Sequence, residues 1–424
     1  MSISLCLLGV VLALPLSAVA QVNYVVHFEM DNSRFLVGGP VFCNFTIRNT
    51  GLQTLAFRYR SPSRVLESSL EQEPRFRLSA VDGRRLPDPA PAPCGGAKGT
   101  IVYGSVTLPP GQLHTERWLL NQWGQISKPG RYHVRAERRL PLFTLSPTNH
   151  EFSEKPVAYA LAIDDLTFDV EAAGESQLEA AFQPFLSALE DPKEPDPAEA
   201  ALVITALPHP FLLQPLIAMA SATHPGRWDR KQALEGLARL GTPAAWQAVL
   251  KIACGEEACA DSSSNKAHQK KALDLRGYAV LLLAEKRDSL FLPPLLELAS
   301  HAPDGLSGDV LRALGFFHDP RAYQALYDKL HSPDPTDRMN AILGLKNAAT
   351  KEVVPALIAM LNDPEPTVRQ VANFALQGIT NHKIALSNKG FRMESAQAAE
   401  LWHAWWRENA ASFVPKAPVV CRDW

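Results

Sequence analysis

Residues 330–348 read LHSPDPTDRMNAILGLKNA, and residues 361–379 read LNDPEPTVRQVANFALQGI. Laid over one another at an offset of 31 residues, Leu330 meets Leu361, Pro333 meets Pro364 and Pro335 meets Pro366. Thr336 meets Thr367, Arg338 meets Arg369, Ala341 meets Ala372 and Leu345 meets Leu376. One step earlier, Leu314 meets Leu345, although most of that unit has diverged. A fixed period near 30, written as helix, proline-containing turn and helix, predicts an α-solenoid, in which each unit buries its apolar face only by stacking on its neighbours. Upstream, RKQALEGLARLGTPAAWQAVLKIA (230–253) keeps the Ala/Leu helical pattern without the arginine, and about five or six units fit between 177 and 380. The charged, proline-rich EDPKEPDPAE (190–199) reads as a turn between two helices rather than a packed element.

The two aligned units resemble HEAT repeats: Asp363 followed by Arg369 has that family's Asp-then-Arg spacing, and Arg338 is the arginine of the preceding unit, where Ser332 replaces the aspartate. The resemblance implies that Asp363, Arg338 and Arg369 stabilise turns between neighbouring repeats rather than bind a ligand.

A solenoid needs its last apolar face covered. After the final repeat and its loop comes ELWHAWWRENAASF (400–413), with three of the chain's eight tryptophans. On a helix capped by Ser395, residues Ala398, Trp402, Trp405 and Asn409 share one stripe, with Leu401 beside it and Trp406 at its edge. Tryptophans bury about 150–250 Å² each, so a few suffice to close an end. The order Leu376, Ile379, Thr380, then Trp402, Trp405, Trp406 and Asn409 is similar to bacterial HEAT-repeat proteins in which a Trp-x-x-Trp-Trp helix follows the last repeat. The expected role of Leu401, Trp402, Trp405 and Trp406 is a cap over 391–413, with 414–424 as a tail; the competing reading is an aromatic platform for a sugar.

From Gln21 to Ala173 the period is two. In VFCNFTIRN, Val41, Cys43, Phe45 and Ile47 face one way and Phe42, Asn44, Thr46 and Arg48 the other, and Asn49-Thr50-Gly51 supplies a turn. Pro129-Gly130 is a second turn, after which Tyr132, Val134 and Ala136 alternate with polar residues; Leu166, Phe168 and Val170 repeat the pattern. Short strands at this spacing predict an antiparallel β-sandwich. The stretches FLVGGPVFCNFTIRNTG, LPPGQLHTERWLL and KPGRYHVRA resemble bacterial immunoglobulin-like domains, with Tyr132 at the tyrosine-corner position and Val134 where an antibody domain has its second cysteine. The fold expected is therefore multidomain β + α: an Ig-like sandwich over 21–173, a HEAT-type solenoid over 174–390, then the cap.

The chain opens MSISLCLLGVVLALPLSAVAQ: an apolar run, a proline and Ala18-Val19-Ala20. That pattern predicts a signal peptide over 1–20, cleaved between Ala20 and Gln21, and hence export to periplasm or exterior. Export permits disulfides. The mature chain would keep Cys43, Cys94, Cys254, Cys259 and Cys421, an odd set. Cys254–Cys259 is one expected bridge, inside CGEEACADSSSNKAHQKK (254–271), where only two cysteines and the distant His268 argue against zinc. Cys43–Cys94 is a second candidate, pinning the loop LPDPAPAPCGGAKG (86–99) to the sandwich. Asn44-Phe45-Thr46 is a glycosylation sequon or simply the outer face of a strand.

With 42 basic and 44 acidic residues the net charge of −2 offers no field for nucleic acid, and no later stretch is apolar enough to span a membrane. There is no HExxH, no Gly-x-Ser-x-Gly and no phosphate-binding glycine loop. His318-Asp319-Pro320 reads as an interhelical turn, Pro208-His209-Pro210 as a helix boundary, and Asp164-Asp165 and Glu256-Glu257 as loop carboxylates. No cofactor is expected. Two functions follow: a non-catalytic envelope scaffold that binds a protein partner through the solenoid surface and sandwich loops, or an enzyme (or enzyme subunit) acting on polysaccharide or peptide with a site between the domains.

Overall fold

The computed structural model describes residues 22–60, 74–89, 103–145, 152–191, 193, 197–221, 230–255, 266–301, 306–384 and 391–415. The chain divides into two compact units that join at Ala172–Ala173. The leader and its Ala20–Gln21 junction, Cys94, Cys259, Cys421 and Glu256-Glu257 lie outside the described residues, and His268 falls within the helix Lys266–Lys286.

The first unit is built of β1 (Tyr24–Met30), β2 (Arg34–Leu36), β3 (Phe42–Asn49), β4 (Leu55–Arg60), β5 (Arg75–Ala80), β6 (Tyr103–Leu108), β7 (Leu113–Leu119), β8 (Gly130–Thr144) and β9 (Ala158–Glu171). One sheet has the order β1-β3-β7; the other runs β2-β9-β8-β4-β6, with β5 also on β8. Both contribute to a single core: Phe28, Cys43, Phe45, Ile47 and Trp118 from the first, Phe57, Phe76, Tyr132, Val134, Phe168 and Val170 from the second. The antiparallel expectation needs one correction, because β2 pairs parallel to β9, Phe35 lying opposite Val170. The three-residue β2 reaches that edge because Phe35 drops into the core and meets Phe168 edge-on at 5.6 Å.

The turn after β3 is built by Asn49. Its Oδ1 accepts from the Gly51 amide at 3.0 Å, and its Nδ2 donates to the carbonyls of Gln53 and Leu108 at 2.7 and 2.8 Å. An Asx side chain thus replaces backbone partners in a fully buried corner. Two other expectations change. Phe42 and Thr46, on the expected outer face of β3, are buried, because Arg117 covers the Phe42 ring at 4.0 Å and Thr115 faces Thr46 across the strands. Asp164 and Asp165 lie within β9, not in a loop. Asp164 accepts the Phe28 amide at 2.8 Å and so ties β1 to β9, while Asp165 pairs with Arg135 at 2.9 Å.

The second unit is helical: α1 (Glu175–Glu190), α2 (Ala198–Ala206), α3 (Leu213–Ser221), α4 (Arg230–Leu240), α5 (Pro243–Cys254), α6 (Lys266–Lys286), α7 (Leu292–His301), α8 (Ser307–Leu314), α9 (Pro320–Lys329), α10 (Pro335–Ala348), α11 (Val354–Ala359), α12 (Pro366–Thr380) and α13 (Phe391–Asn409). Proline opens α5, α9, α10 and α12, where the missing N–H has no helical partner to lose, and Thr242, Asp319 and Asp334 cap three of those starts with side-chain oxygens. The helices stack as six pairs, α1/α2 to α11/α12, among the described residues, and α13 closes the far end against α11, α12 and the turn Met360–Asn362.

The 31-residue period is also written in the backbone. Non-glycine residues with positive φ end three successive units, Arg287 (54°), His318 (49°) and Ala349 (44°), each 31 residues after the last. Asn381 (54°) and Gly241 (69°) do the same for α12 and α4. Each left-handed residue turns the chain out of one helix of the even row and toward the next pair. Between α8 and α10 the approach is close: a Cβ on Gly344 would collide with the Leu311 carbonyl, and one on Gly315 with the Gly344 carbonyl.

Candidate functional site

Helices α2, α4, α6, α8, α10 and α12 each rest on the next, whereas in the other row α5 and α7, and α9 and α11, make only slight contact. Tighter spacing in one row curves a stack toward it, so the even-numbered helices line the concave face.

Polar bridges join the helices along that face. On α4, Glu235 accepts from Tyr278 Oη of α6 at 2.5 Å and from Arg239 Nη2 at 2.9 Å; Arg239 Nη1 reaches the Thr205 carbonyl of α2 at 2.9 Å. Lys231 lies 5.4 Å from the Tyr278 ring centre. On α8, Asp309 pairs with Arg312 and occupies space that only Gly277 of α6 leaves open. Asn340 of α10 lies over Gly308 of α8, and Asn347 donates to the Arg312 carbonyl at 3.0 Å. Half-buried Met339 and Leu343 follow. The series ends at Phe374 of α12, 59% exposed, with Lys346 Nζ 5.1 Å from its ring centre and the lysine stem against Gly378. This is a surface for recognition: aromatic and aliphatic groups set between charges that are already held in place.

The arginines and aspartate of the repeat motif are internal. Arg338 Nε and Nη2 each donate to Asp363 at 2.8 Å, and Nη1 donates to the carbonyls of Ser332 and Pro333. Asp363 Oδ1 also accepts from the Glu365 amide at 2.9 Å, while Arg369 Nη1 donates to the carbonyls of Asp363 and Pro364 at 2.7 and 2.9 Å. All three residues are buried; the Arg338–Asp363 pair links one unit to the next, and Arg369 braces the turn before α12.

Trp402 is fully buried in the cap and donates its indole N–H to Asn373 Oδ1 of α12 at 2.8 Å. Trp405 is half-covered: His382 stacks on it at 5.1 Å and 11°, and Trp402 and Phe413 meet it edge-on. Trp406 meets Phe413 edge-on at 5.5 Å. A sugar platform needs a free flat face, and His382 takes one face of Trp405. The expected place of Leu401 is corrected. It is 51% exposed, because the buried stripe is centred on Ala398, Ala399 and Trp402, and Leu401 lies a quarter-turn off it.

The sequence reading missed one cluster, in the core of the first unit. Arg138, on the apolar side of β8 between Ala136 and Leu140, is buried and donates to Glu116 Oε2 of β7 at 2.7 Å. His114 Nε2 stands 3.4 Å from Glu116 Oε1, and the guanidinium lies 4.3 Å from the Phe45 ring centre. Burial pushes the Glu116 carboxyl up, but His114 and Arg138 outweigh it and hold the group below its ordinary value. A charged residue inside the alternation Tyr132-Val134-Ala136-Arg138-Leu140 was the available signal.

Cys43 is a free thiol with no exposure, pushed up to about 12 by burial and by the charges of Asp164 and Glu29. Its expected link has the other end, Cys94, outside the described residues, as does the link from Cys254, which ends α5 half-buried. Asn44 of the sequon donates to Asp31 at 3.3 Å on the first unit's surface. His318 and Asp319 form a turn: His318 is left-handed and Asp319 caps α9. His209 stacks on Phe211 at 5.3 Å before α3. Among the described residues no three His, Cys, Asp or Glu side chains converge as metal ligands, and no helix is long and apolar enough to cross a membrane.

Residues 324–385 match the family model described as HEAT repeats, from within α9 through α12 and including the Arg338–Asp363 pair. No curated protein matches the chain. Among solved structures, a designed armadillo repeat protein in complex with the peptide (KR)4 is 17% identical over 49% of this chain and 95% of its own, with a TM-score of 0.28. A sporulation control protein from Bacillus subtilis is 13% identical over 39% of this chain and 54% of its own, with a TM-score of 0.18. An α2-macroglobulin variant from Salmonella is 13% identical over 89% of this chain and 27% of its own, at 0.19. Similarity at that level carries no argument. The chain contains a β-sheet region followed by a HEAT-type helical repeat region.

Proposed function

We propose that the chain is an exported, non-catalytic scaffold of the cell envelope that binds a protein partner along the concave row of its helical repeats, and that its first unit is an Ig-like sandwich. The observation that carries the binding reading is the row surface itself. Side chains bridge α2 to α4, α4 to α6, α8 to α10 and α10 to α12, and Asp309 of α8 packs over Gly277 of α6, so the face is preorganised, and it ends in the exposed ring of Phe374. Preorganised polar groups around an exposed aromatic are what a recognition surface needs, since ordering costs on binding are then small. The repeat class is typically a protein-binding scaffold.

The Ig-like reading is supported by strand order and one corner. The set β1-β3-β7 against β9-β8-β4 corresponds to strands A, B and E facing G, F and C. Tyr132, at the start of β8, donates its hydroxyl to the Lys128 carbonyl at 2.7 Å, the bond that defines a tyrosine corner. Cys43 and Val134 both lie in the shared core, where an antibody domain places its two cysteines. Export rests on the leader at residues 1–20.

The test uses the full mature chain with a photo-crosslinker at Phe374 or, as control, at exposed Gln324 on the opposite row, in envelope extract. The expected result is a specific adduct from position 374 that disappears when Lys346→Glu and Leu343→Glu are introduced. Equal capture from position 324, or none from 374 while the first unit alone retains a partner, would overturn it.

A further inference from the structure

Arg287 and His318 occupy equivalent places in successive units, Arg287 directly after α6 and His318 after the 3-10 turn Gly315–Phe317 that continues α8, and both hold the left-handed backbone. Glycine does the same task at 241 and asparagine at 381. An L-residue in that conformation costs about 1–2 kcal/mol, and arginine gains none of the local hydrogen bonding that helps asparagine. Ala349 shows that the backbone tolerates the cost with no side chain to offer, so the case rests on what the side chains of Arg287 and His318 face.

Both residues are exposed at one edge of the stack. The Arg287 guanidinium lies 6.0 Å from the ring centre of Phe316, two residues before His318. His318 Nδ1 stands 3.1 Å from Tyr323 Oη of α9. The nearby carboxylates are engaged elsewhere. Asp319 caps α9 through the Arg321 amide and pairs with both the Nε and Nη2 of Arg321. Asp288 accepts from the Leu290 amide at 3.0 Å. Glu352 acts on Tyr323 and Tyr327 from the turn before α11, where its carbonyl faces Tyr327 Oη at 3.5 Å. A guanidinium, an imidazole and a phenol therefore share an edge on which, among the described residues, no carboxylate pairs with the Arg287 guanidinium.

We infer that Arg287, His318 and Tyr323 form a binding site for a small oxyanion, a phosphate or a carboxylate group. The guanidinium offers two parallel donors to such a group, the imidazole adds a third that becomes charge-assisted when the ring is protonated, and the phenol hydroxyl, bonded to Nδ1, orients the ring. Burial, then the charge of Arg287, holds His318 below its ordinary value, so at neutral pH the ring is uncharged. A bound anion reverses the second effect and draws a proton onto the ring; anion binding and proton uptake at His318 are linked. The site is independent of the concave-row reading, because it lies on two turns and on α9 and not on the even helices.

The experiment titrates the full mature chain with inorganic phosphate and, separately, acetate, at ionic strength held constant with chloride. It reads the His318 imidazole signals by NMR, assigned with His318→Asn. The expected result is a saturable shift of that resonance with its titration midpoint moved upward. Response to phosphate alone marks a phosphate site, and response to both marks a general oxyanion site. In Arg287→Gly, which relieves the left-handed strain and so keeps the fold, the response weakens at least about tenfold, the loss expected for a charge-assisted pair. No saturable shift in the wild-type chain, or a wild-type response in Arg287→Gly, overturns the site.

Discussion

Arg338 grips both carboxylate oxygens of Asp363, 25 residues away in the next unit, at 2.8 Å each. The same carboxylate accepts the Glu365 amide and so organises the turn that starts α12. Removing one partner of a buried ion pair strands the other charge, which typically costs about 3–5 kcal/mol, whereas replacing both with apolar groups of similar volume is often near neutral. Asp363→Ala is expected to lose about 3–5 kcal/mol in denaturant unfolding. Adding Arg338→Met to Asp363→Leu should recover most of what Asp363→Leu alone loses. A double-mutant cycle checks both; simple additivity would mean the pair contributes no coupling.

The HEAT rung was readable because proline, arginine and leucine recur at a fixed offset between 330 and 379. The units before it were harder to see for a physical reason. What repeats there is a backbone conformation, and Arg287, His318 and Ala349 share it while sharing no chemistry. The core cluster of the first unit was half-visible. Arg138 breaks an apolar alternation, but Glu116 and His114 come from another strand, and only the pairing of β7 with β3 brings their side of β7 over the core. Leu401 was misplaced because a stripe of bulky residues can be drawn through either side of Trp402, and the small residues Ala398 and Ala399 decide which side faces inward.

That correction separates two neighbours on α13. Trp402→Ala removes a fully buried ring and strands Asn373 Oδ1, so a loss of about 3–5 kcal/mol is expected. Leu401→Ala should stay within about 0.5 kcal/mol, as exposed substitutions do. Thermal unfolding of the two variants checks the contrast. Equal destabilisation would mean α13 seats with a different face.

Glu116 is expected to make the first unit sensitive to acid. Its folded carboxyl is held below the ordinary value of 4.5, so near that value the folded chain binds fewer protons than the unfolded one. The stabilisation is therefore fully present above the ordinary value, and falls away as pH drops through the lower folded value. Unfolding free energy measured from pH 6 down to about 3 should fall less steeply in Glu116→Gln, which keeps an oxygen for Arg138 and has no proton to gain. An unchanged slope would assign the acid sensitivity to other carboxylates.

Ala349 offers the simplest stabilising change. Its φ of 44° is one that a Cβ opposes by about 1–2 kcal/mol, and glycine returns part of that through the greater freedom of the unfolded chain, about 0.5–1 kcal/mol. The expected balance for Ala349→Gly is a gain of about 0.5–1 kcal/mol, seen as a higher Tm. Asn381→Gly should gain less, because asparagine already tolerates the left-handed well. If Ala349→Gly instead destabilised the chain, the Ala349 methyl would have to contribute packing that outweighs the backbone strain, and the turn after α10 would be held by side-chain contact rather than by its conformation.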